Sequence, residues 1–351
     1  MKYKLVLENG KEFYGKCFGF KKKTIGELFF STSMVGYQDI LSDPSYYGKI
    51  ACMTYPLIGN YGLTDDDYDF KKIYIKGYVV KENNDSPSNF RATRTLNDAM
   101  EENEVVGLSD IDTRELTRII RDEGIMKAMI CETSKPLNEC LEEIKEYSEN
   151  DSVKEVSCKK TWYSRTANPL YTVVVLDLGI KTTLVKKLNE YGLNVIIVPF
   201  NTKLEEIKRL KPNGIIISNG PGNPNKQELV KETISTLKGK YPLLALGLGA
   251  QITALTYGAN VTKIKHGHQG SNLPIKNIQT GKIEISSQNH FYKIEFENED
   301  KIRKTHINVI DNDIEGYYDE VNKVMGIQYQ VQESLNEQEN VINNFIKLMK
   351  K

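Results

Sequence analysis

Four short runs of β-branched and aliphatic residues, Thr172 to Leu176, Asn194 to Val198, Gly214 to Ile217 and Pro242 to Leu246, alternate with stretches of helical character. Those stretches are Lys181 to Tyr191, Leu204 to Leu210, Gln227 to Leu237 and Gln251 to Tyr257. Strand and helix alternating at this pace predict a parallel sheet with crossover helices, a doubly wound α/β domain. Ligands in such sheets bind at the carboxyl ends of the strands. The segments that follow each run therefore carry the functional expectation.

The first half reads differently. Tyr3 to Glu8 and Glu12 to Phe20 flank Asn9-Gly10, a dipeptide that favours the type I′ hairpin turn. Short apolar segments then alternate with the turn signals Ser42-Asp43-Pro44, Tyr55-Pro56 and Ser86-Pro87, so the N-terminal part is expected to be a β-rich α/β domain. One helix is placed after Asp112-Thr113, which can cap a segment with Leu116, Ile119 and Ile120 at helical spacing. Polar sequence over 148–170 reads as a linker between domains 1–147 and 171–351, and 351 residues suit two domains of ordinary size.

Lys+Arg and Asp+Glu are equal at 47 each, with no long basic run, which argues against nucleic acid or an anionic membrane as partner. Met1 to Glu8 turns polar before any apolar stretch of signal-peptide length, and no run is long enough to span a bilayer. A cytoplasmic protein is expected. The five cysteines, Cys17, Cys52, Cys131, Cys140 and Cys158, are scattered, form no Cys-x-x-Cys pair and are read as free thiols. None lies beyond Cys158, so the α/β half works without a thiol of its own.

Two strand ends stand out. Ser218-Asn219-Gly220-Pro221-Gly222-Asn223-Pro224 is a fixed, backbone-exposing loop that either cradles an oxyanion or carboxylate or is simply a tight βα connection. Leu244-Ala245-Leu246-Gly247-Leu248-Gly249-Ala250-Gln251 leads from a strand into a helix, the setting in which α/β enzymes place a nucleophile on a strained turn. The tip is Gly247, which offers no side chain to react. Gly247-Leu248-Gly249 fails as a dinucleotide fingerprint because Ile252 stands where the third glycine belongs, and Gly179-Ile180-Lys181-Thr182 fails as a phosphate loop. His266, His268, His290 and His306 are the only histidines. His266-Gly267-His268 has no cysteine and no obvious carboxylate near it in sequence, so it is read as a structural pair and no metal is expected.

With these residues in hand, the whole chain resembles the small subunit of carbamoyl-phosphate synthase. In the first half the resemblance rests on Gly26-Glu27, Thr32-Ser33-Met34-Val35-Gly36-Tyr37-Gln38, Asp43-Pro44-Ser45-Tyr46 and Tyr55-Pro56-Leu57-Ile58-Gly59-Asn60, with Ser88-Asn89-Phe90-Arg91 and Asp110-Ile111-Asp112-Thr113-Arg114. In the second it rests on Asp177-Leu178-Gly179-Ile180-Lys181, Ser218-Asn219-Gly220-Pro221-Gly222, Gly267-His268-Gln269-Gly270-Ser271-Asn272 and Ser287-Gln288-Asn289-His290. The resemblance implies a class I glutamine amidotransferase-like domain after the N-terminal domain. It further implies a thiolate that attacks the glutamine amide with support from a His and a Glu, and ammonia passed to a large subunit. ATP and Mg are expected on that large partner, and no cofactor in this chain.

The same resemblance exposes a departure. The family's Gly-x-Cys-x-Gly-His-Gln falls on Ala245 to Gln251, so Gly247 takes the nucleophile's place, and the family's His-Pro-Glu falls on Gln330-Val331-Gln332. Neither Gln330 nor Gln332 can accept a proton or carry charge at neutral pH. Losing a nucleophile or base alone costs on the order of a millionfold in a comparable triad, so glutamine hydrolysis is expected to be absent. By family position Ser45, Gly220, Gly222, Leu248, Gln251, Asn289, Phe291 and Tyr292 are the vestige of a glutamine site. Phe291 stands where the family has glycine, so weak or no glutamine binding is expected. The expected function is a pseudo-glutaminase that docks on the large subunit for ammonia-dependent synthesis; the alternative is a stand-alone ligand-binding or regulatory protein on the amidotransferase fold.

Overall fold

A computed structural model describes residues 2–65, 72–148, 151–297, 301–331 and 341–350. The chain divides into two units, Met1–Asn150 and Asp151–Lys351.

The first unit is built on a closed barrel of seven strands: β1 (Lys2–Leu7), β2 (Glu12–Gly19), β3 (Thr24–Ser31), β4 (Lys49–Met53), β5 (Gly77–Val79), β6 (Val106–Ser109) and β7 (Met126–Glu132). Their order is β1-β2-β6-β5-β4-β3-β7, and β7 closes on β1 with Tyr3 opposite Glu132 and Leu7 opposite Ala128. Inward residues Leu5, Leu7, Leu28, Ile50, Val79, Val106, Leu108 and Ile130 fill it. The helix Thr113–Glu123 seals one side with Leu116, Ile119 and Ile120. Asp112 starts that helix by accepting from the backbone N–H of Arg114 (3.1 Å) and Glu115 (2.9 Å), as its sequence indicated.

The β1–β2 turn differs from the type I′ expectation. Gly10 has φ +87° while Asn9 is not in the left-handed region, and Gly10 N–H donates to Leu7 O. A three-residue connection with a left-handed glycine therefore joins the strands, the longer of the common hairpin solutions.

In the second unit ten strands form one sheet: β8 (Trp162–Ser164), β9 (Tyr171–Asp177), β10 (Leu193–Pro199), β11 (Gly214–Ile217), β12 (Leu243–Leu246), β13 (Asn260–Asn277), β14 (Ile283–Glu295), β15 (Arg303–Asn308), β16 (Ile314–Asp319) and β17 (Val324–Ile327). The order is β8-β10-β9-β11-β12-β17-β16-β15-β13-β14. The five central strands, β10-β9-β11-β12-β17, are parallel. Both of their faces are covered, which is why their sequences are continuous apolar runs. Val174, Leu176, Ile215 and Ile217 pack with Val230, Ile234 and Leu237 on one side, while Val173, Val175, Ile216 and Leu244 pack with Leu184, Leu188 and Phe345 on the other.

The stretch expected as a linker, 148–170, carries structure of its own. Ser152–Val156 is a helix whose Val153 is buried in the sheet's core, and β8 pairs antiparallel with β10 through Tyr163 opposite Ile196. Among the described residues no helix is long and apolar enough to cross a membrane. All five cysteines are free, with Cys131 and Cys140 Sγ atoms 3.7 Å apart; burial and the neighbouring thiol push Cys131 up to about 12.

Candidate functional site

The chain leaves β12 at Gly247 and enters the helix Leu248–Leu255 through a single sharp turn. Gly247 has φ +50° and ψ −116°, its N–H donates to Ile327 O at 2.8 Å, and its carbonyl accepts from Gln251 N–H at 3.1 Å. This is the strained strand-to-helix elbow on which α/β enzymes raise a nucleophile. Here it survives intact with no side chain on it. A Cβ at this position would lie 3.1 Å from the Asn219 Cβ, so the glycine-rich loop is the elbow's direct neighbour.

That loop is tied down from beneath. Ser218 is fully buried, accepts from Leu178 N–H and donates to Asn219 O, each at 2.8 Å. Asp177, at the end of β9, accepts from Gly179 and Ile180 N–H at 2.9 Å and from Cys158 N–H at 2.7 Å. Gly220 has no room for a side chain, since a Cβ there would overlap Leu178 O. Gly222 (φ +97°) lies against Ser152. Leu248 is buried as the first residue of the elbow helix.

Gln330 takes no part in acid–base chemistry. Its N–H donates to Ser287 O (2.8 Å) and its Oε1 accepts from Lys181 Nζ (3.3 Å), a lysine only 6% exposed. Gln332 lies outside the described residues. Cys158, the only cysteine of the second unit, has its thiol pushed up to about 12 by burial and then by Asp177, away from the reactive thiolate form.

Of the other expected pocket residues, Gln251 is buried with Nε2 donating to Gln328 Oε1 (2.9 Å) and Tyr292 O (3.3 Å). Asn289 pairs with Gln269 across the β13–β14 ladder. Phe291 is buried against Gly267, where a Cβ on that glycine would meet the ring at 3.0 Å. Its ring is thus spent on the facing strand. Ser45 belongs to the first unit, in the short helical turn Pro44–Tyr46, with its N–H donating to Asp43 Oδ1 at 2.8 Å.

The histidines hold what the sequence did not reveal. His268 and His290 face each other across β13 and β14, and both face Glu315 on β16. Carboxylates thus lie beside His268 after all, supplied from 43 and 47 residues away by Asp311 and Glu315. Burial alone would draw the His268 ring below the ordinary range, but Glu315 and Asp311 outweigh it and raise it. Burial likewise pushes the Glu315 carboxyl up, and the two rings reverse that and hold it low.

Comparisons with known proteins give the family of each part of the chain. Residues 174–348 match the family model of glutamine amidotransferase class-I, so the second unit has the fold of that class. Residues 5–130 match the carbamoyl-phosphate synthase small chain, CPSase domain. The chain is 41% identical to the carbamoyl phosphate synthase pyrimidine-specific small chain of Bacillus subtilis, over 94% of this chain and 90% of that protein. It is 42% identical to the small chain of Bacillus caldolyticus, over 90% and 87% respectively. Among solved structures, a glutamine amidotransferase from Thermotoga maritima aligns at TM-score 0.38 and 15% identity, covering 46% of this chain and 76% of that one. The chain belongs to the carbamoyl-phosphate synthase small-chain family.

Proposed function

We propose that this chain is a carbamoyl-phosphate synthase small subunit without glutaminase activity, one that docks on a large subunit which then uses free ammonia. The observation that carries the reading is Gly247: the elbow keeps its strained backbone and has no nucleophile, and Gln330 cannot stand in as base. Glutamine binds weakly or not at all, because the Gln251 amide is already engaged by Gln328 and Tyr292. ATP and Mg belong to the large subunit, and this chain needs no cofactor of its own. Neither nucleic acid nor membrane is a partner, and the chain works in the cytoplasm.

Docking has support in the first unit. Met34, Val35 and Phe90 are 68%, 73% and 97% exposed. The segments that carry them pack on one loop: Tyr37 OH donates to Gly62 O (2.6 Å), Gln38 Nε2 to Thr64 O (2.6 Å), and Ser88 N–H to Asn60 O (2.9 Å).

Co-purification with the cognate large subunit, followed by carbamoyl phosphate synthesis from glutamine or from ammonium, tests the reading. A complex active with ammonium alone is expected. Absence of a complex, or synthesis driven by glutamine, overturns it.

A further inference from the structure

Away from the elbow, three potential ligand atoms meet within 3.3 Å of one another. His268 Nδ1, His290 Nε2 and Glu315 Oε1 form a triangle with edges of 3.3 Å (His268 to His290), 3.3 Å (His268 to Glu315) and 3.0 Å (His290 to Glu315). Each ring is committed on its other side. His268 Nε2 lies 2.6 Å from Asp311 Oδ2, and His290 Nδ1 lies 3.0 Å from Tyr292 O. Both outer partners only accept, so with a cation held between the inner nitrogens the outer ones would keep the hydrogen and the inner ones would present lone pairs. Asn308 Nδ2, the other polar group near this triangle, stands 3.4 Å from His268 Nδ1 and donates to Gln288 Oε1 at 3.1 Å.

A second observation points the same way. Glu315 is wholly buried, and its Oε2 has no hydrogen-bond partner among the described residues. A buried carboxylate oxygen left bare is costly until a cation or a hydrogen-bond donor satisfies it.

We infer that His268, His290 and Glu315 bind a divalent transition-metal ion of the zinc type. A tetrahedral zinc with bonds of about 2.0–2.1 Å spaces its ligand atoms roughly 3.3 Å apart, close to the observed triangle. Two imidazoles and a carboxylate are the donor set that zinc takes, and metal-bound histidines characteristically donate their other N–H to a carboxylate or a backbone carbonyl. Asp311 and Tyr292 O fill those outer roles. A cavity of about 420 Å³, bordered by His268, Asp311, Asp313, Lys263, Lys265 and Lys293, lies on the outer side of the His268 ring. The site is independent of glutamine hydrolysis and of docking.

The full chain, stripped with chelator and desalted, is titrated with Zn²⁺ alone by calorimetry, with metal content measured after gel filtration. One Zn²⁺ per chain is expected, with affinity reduced at least tenfold in Glu315→Gln and His268→Asn and unchanged in His266→Asn. Asp311→Asn, at a half-exposed outer position, is expected to fold and to weaken binding about 10–100-fold. Failure of the folded natural chain to retain Zn²⁺ overturns the site. So does an Asp311→Asn protein that binds as the natural chain does, whether or not the buried variants fold.

Discussion

Gly247 and Asn219 approach so closely that a Cβ on the glycine would sit 3.1 Å from the asparagine's own Cβ. The contact joins the two strand ends that the sequence marks as functional, after β11 and after β12. It also sets what a restored side chain would meet.

Gly247→Cys is therefore expected to fold but to lose about 1–3 kcal/mol, because φ +50° with ψ −116° strains any residue that carries a Cβ. Urea denaturation beside Gly247→Ala checks this: the two should fall together, since the backbone and not the thiol is at fault. By itself the cysteine should give no measurable glutaminase, with Gln330 still in the base's place.

Phe291→Gly, which returns the family's residue, is expected to cost at least about 3 kcal/mol, since it empties a buried ring position against Gly267 and loosens β14. Thermal melts with glutamine should show no ligand-induced rise for the natural chain. A rise confined to Phe291→Gly would mean that the ring had closed a working pocket.

His306 should make stability depend on pH. Burial holds its imidazole down at about 4, with Nε2 3.3 Å from Asn277 Nδ2 and Nδ1 3.1 Å from Thr305 Oγ1. An unfolded histidine protonates near 6.5. Between roughly pH 6.5 and 4 the unfolded chain takes up a proton that the folded one refuses, so stability falls as pH falls, by about 3 kcal/mol across the window. Measured against His306→Gln, the natural-minus-variant difference in urea midpoints should fall as pH falls through this window.

Tyr317 fixes the elbow helix from below: its OH donates to Ala250 O at 2.7 Å, and its ring fills the space over Gly326. Tyr317→Phe is expected to cost about 1 kcal/mol through the lost buried hydrogen bond. Gly326→Ala should be more damaging, because its Cβ would overlap the ring. Differential scanning calorimetry of the pair should rank them in that order.

The parts of this fold that were legible in sequence are those set locally. Runs such as Val173 to Leu176 are apolar on both faces because helices cover both sides of the sheet, and Asp112 caps a helix through bonds two and three residues away. Barrel closure was not legible, because Tyr3 pairs with Glu132 across most of the first unit. Nor was the β13–β14 hairpin, whose largely polar, half-exposed strands leave no apolar run to detect. Over 148–170 a polar surface concealed one helix and one edge strand, since only residues such as Ser152 and Val153 turn inward. The same limit hid the histidine cluster: His268 and Glu315 are 47 residues apart, and only the sheet order brings β16 near β13. Gly247 was legible because its role depends on one turn between one strand and one helix.

The most direct test of the central claim is ammonia release from glutamine by the purified chain, alone and with its large subunit, beside a Gly247→Cys, Gln330→His, Gln332→Glu variant. The natural chain is expected to be silent in both settings; activity confined to the triple variant would mark the elbow as a vacated glutaminase site. Release of ammonia by the natural chain would contradict the account and require a nucleophile other than the one Gly247 has displaced.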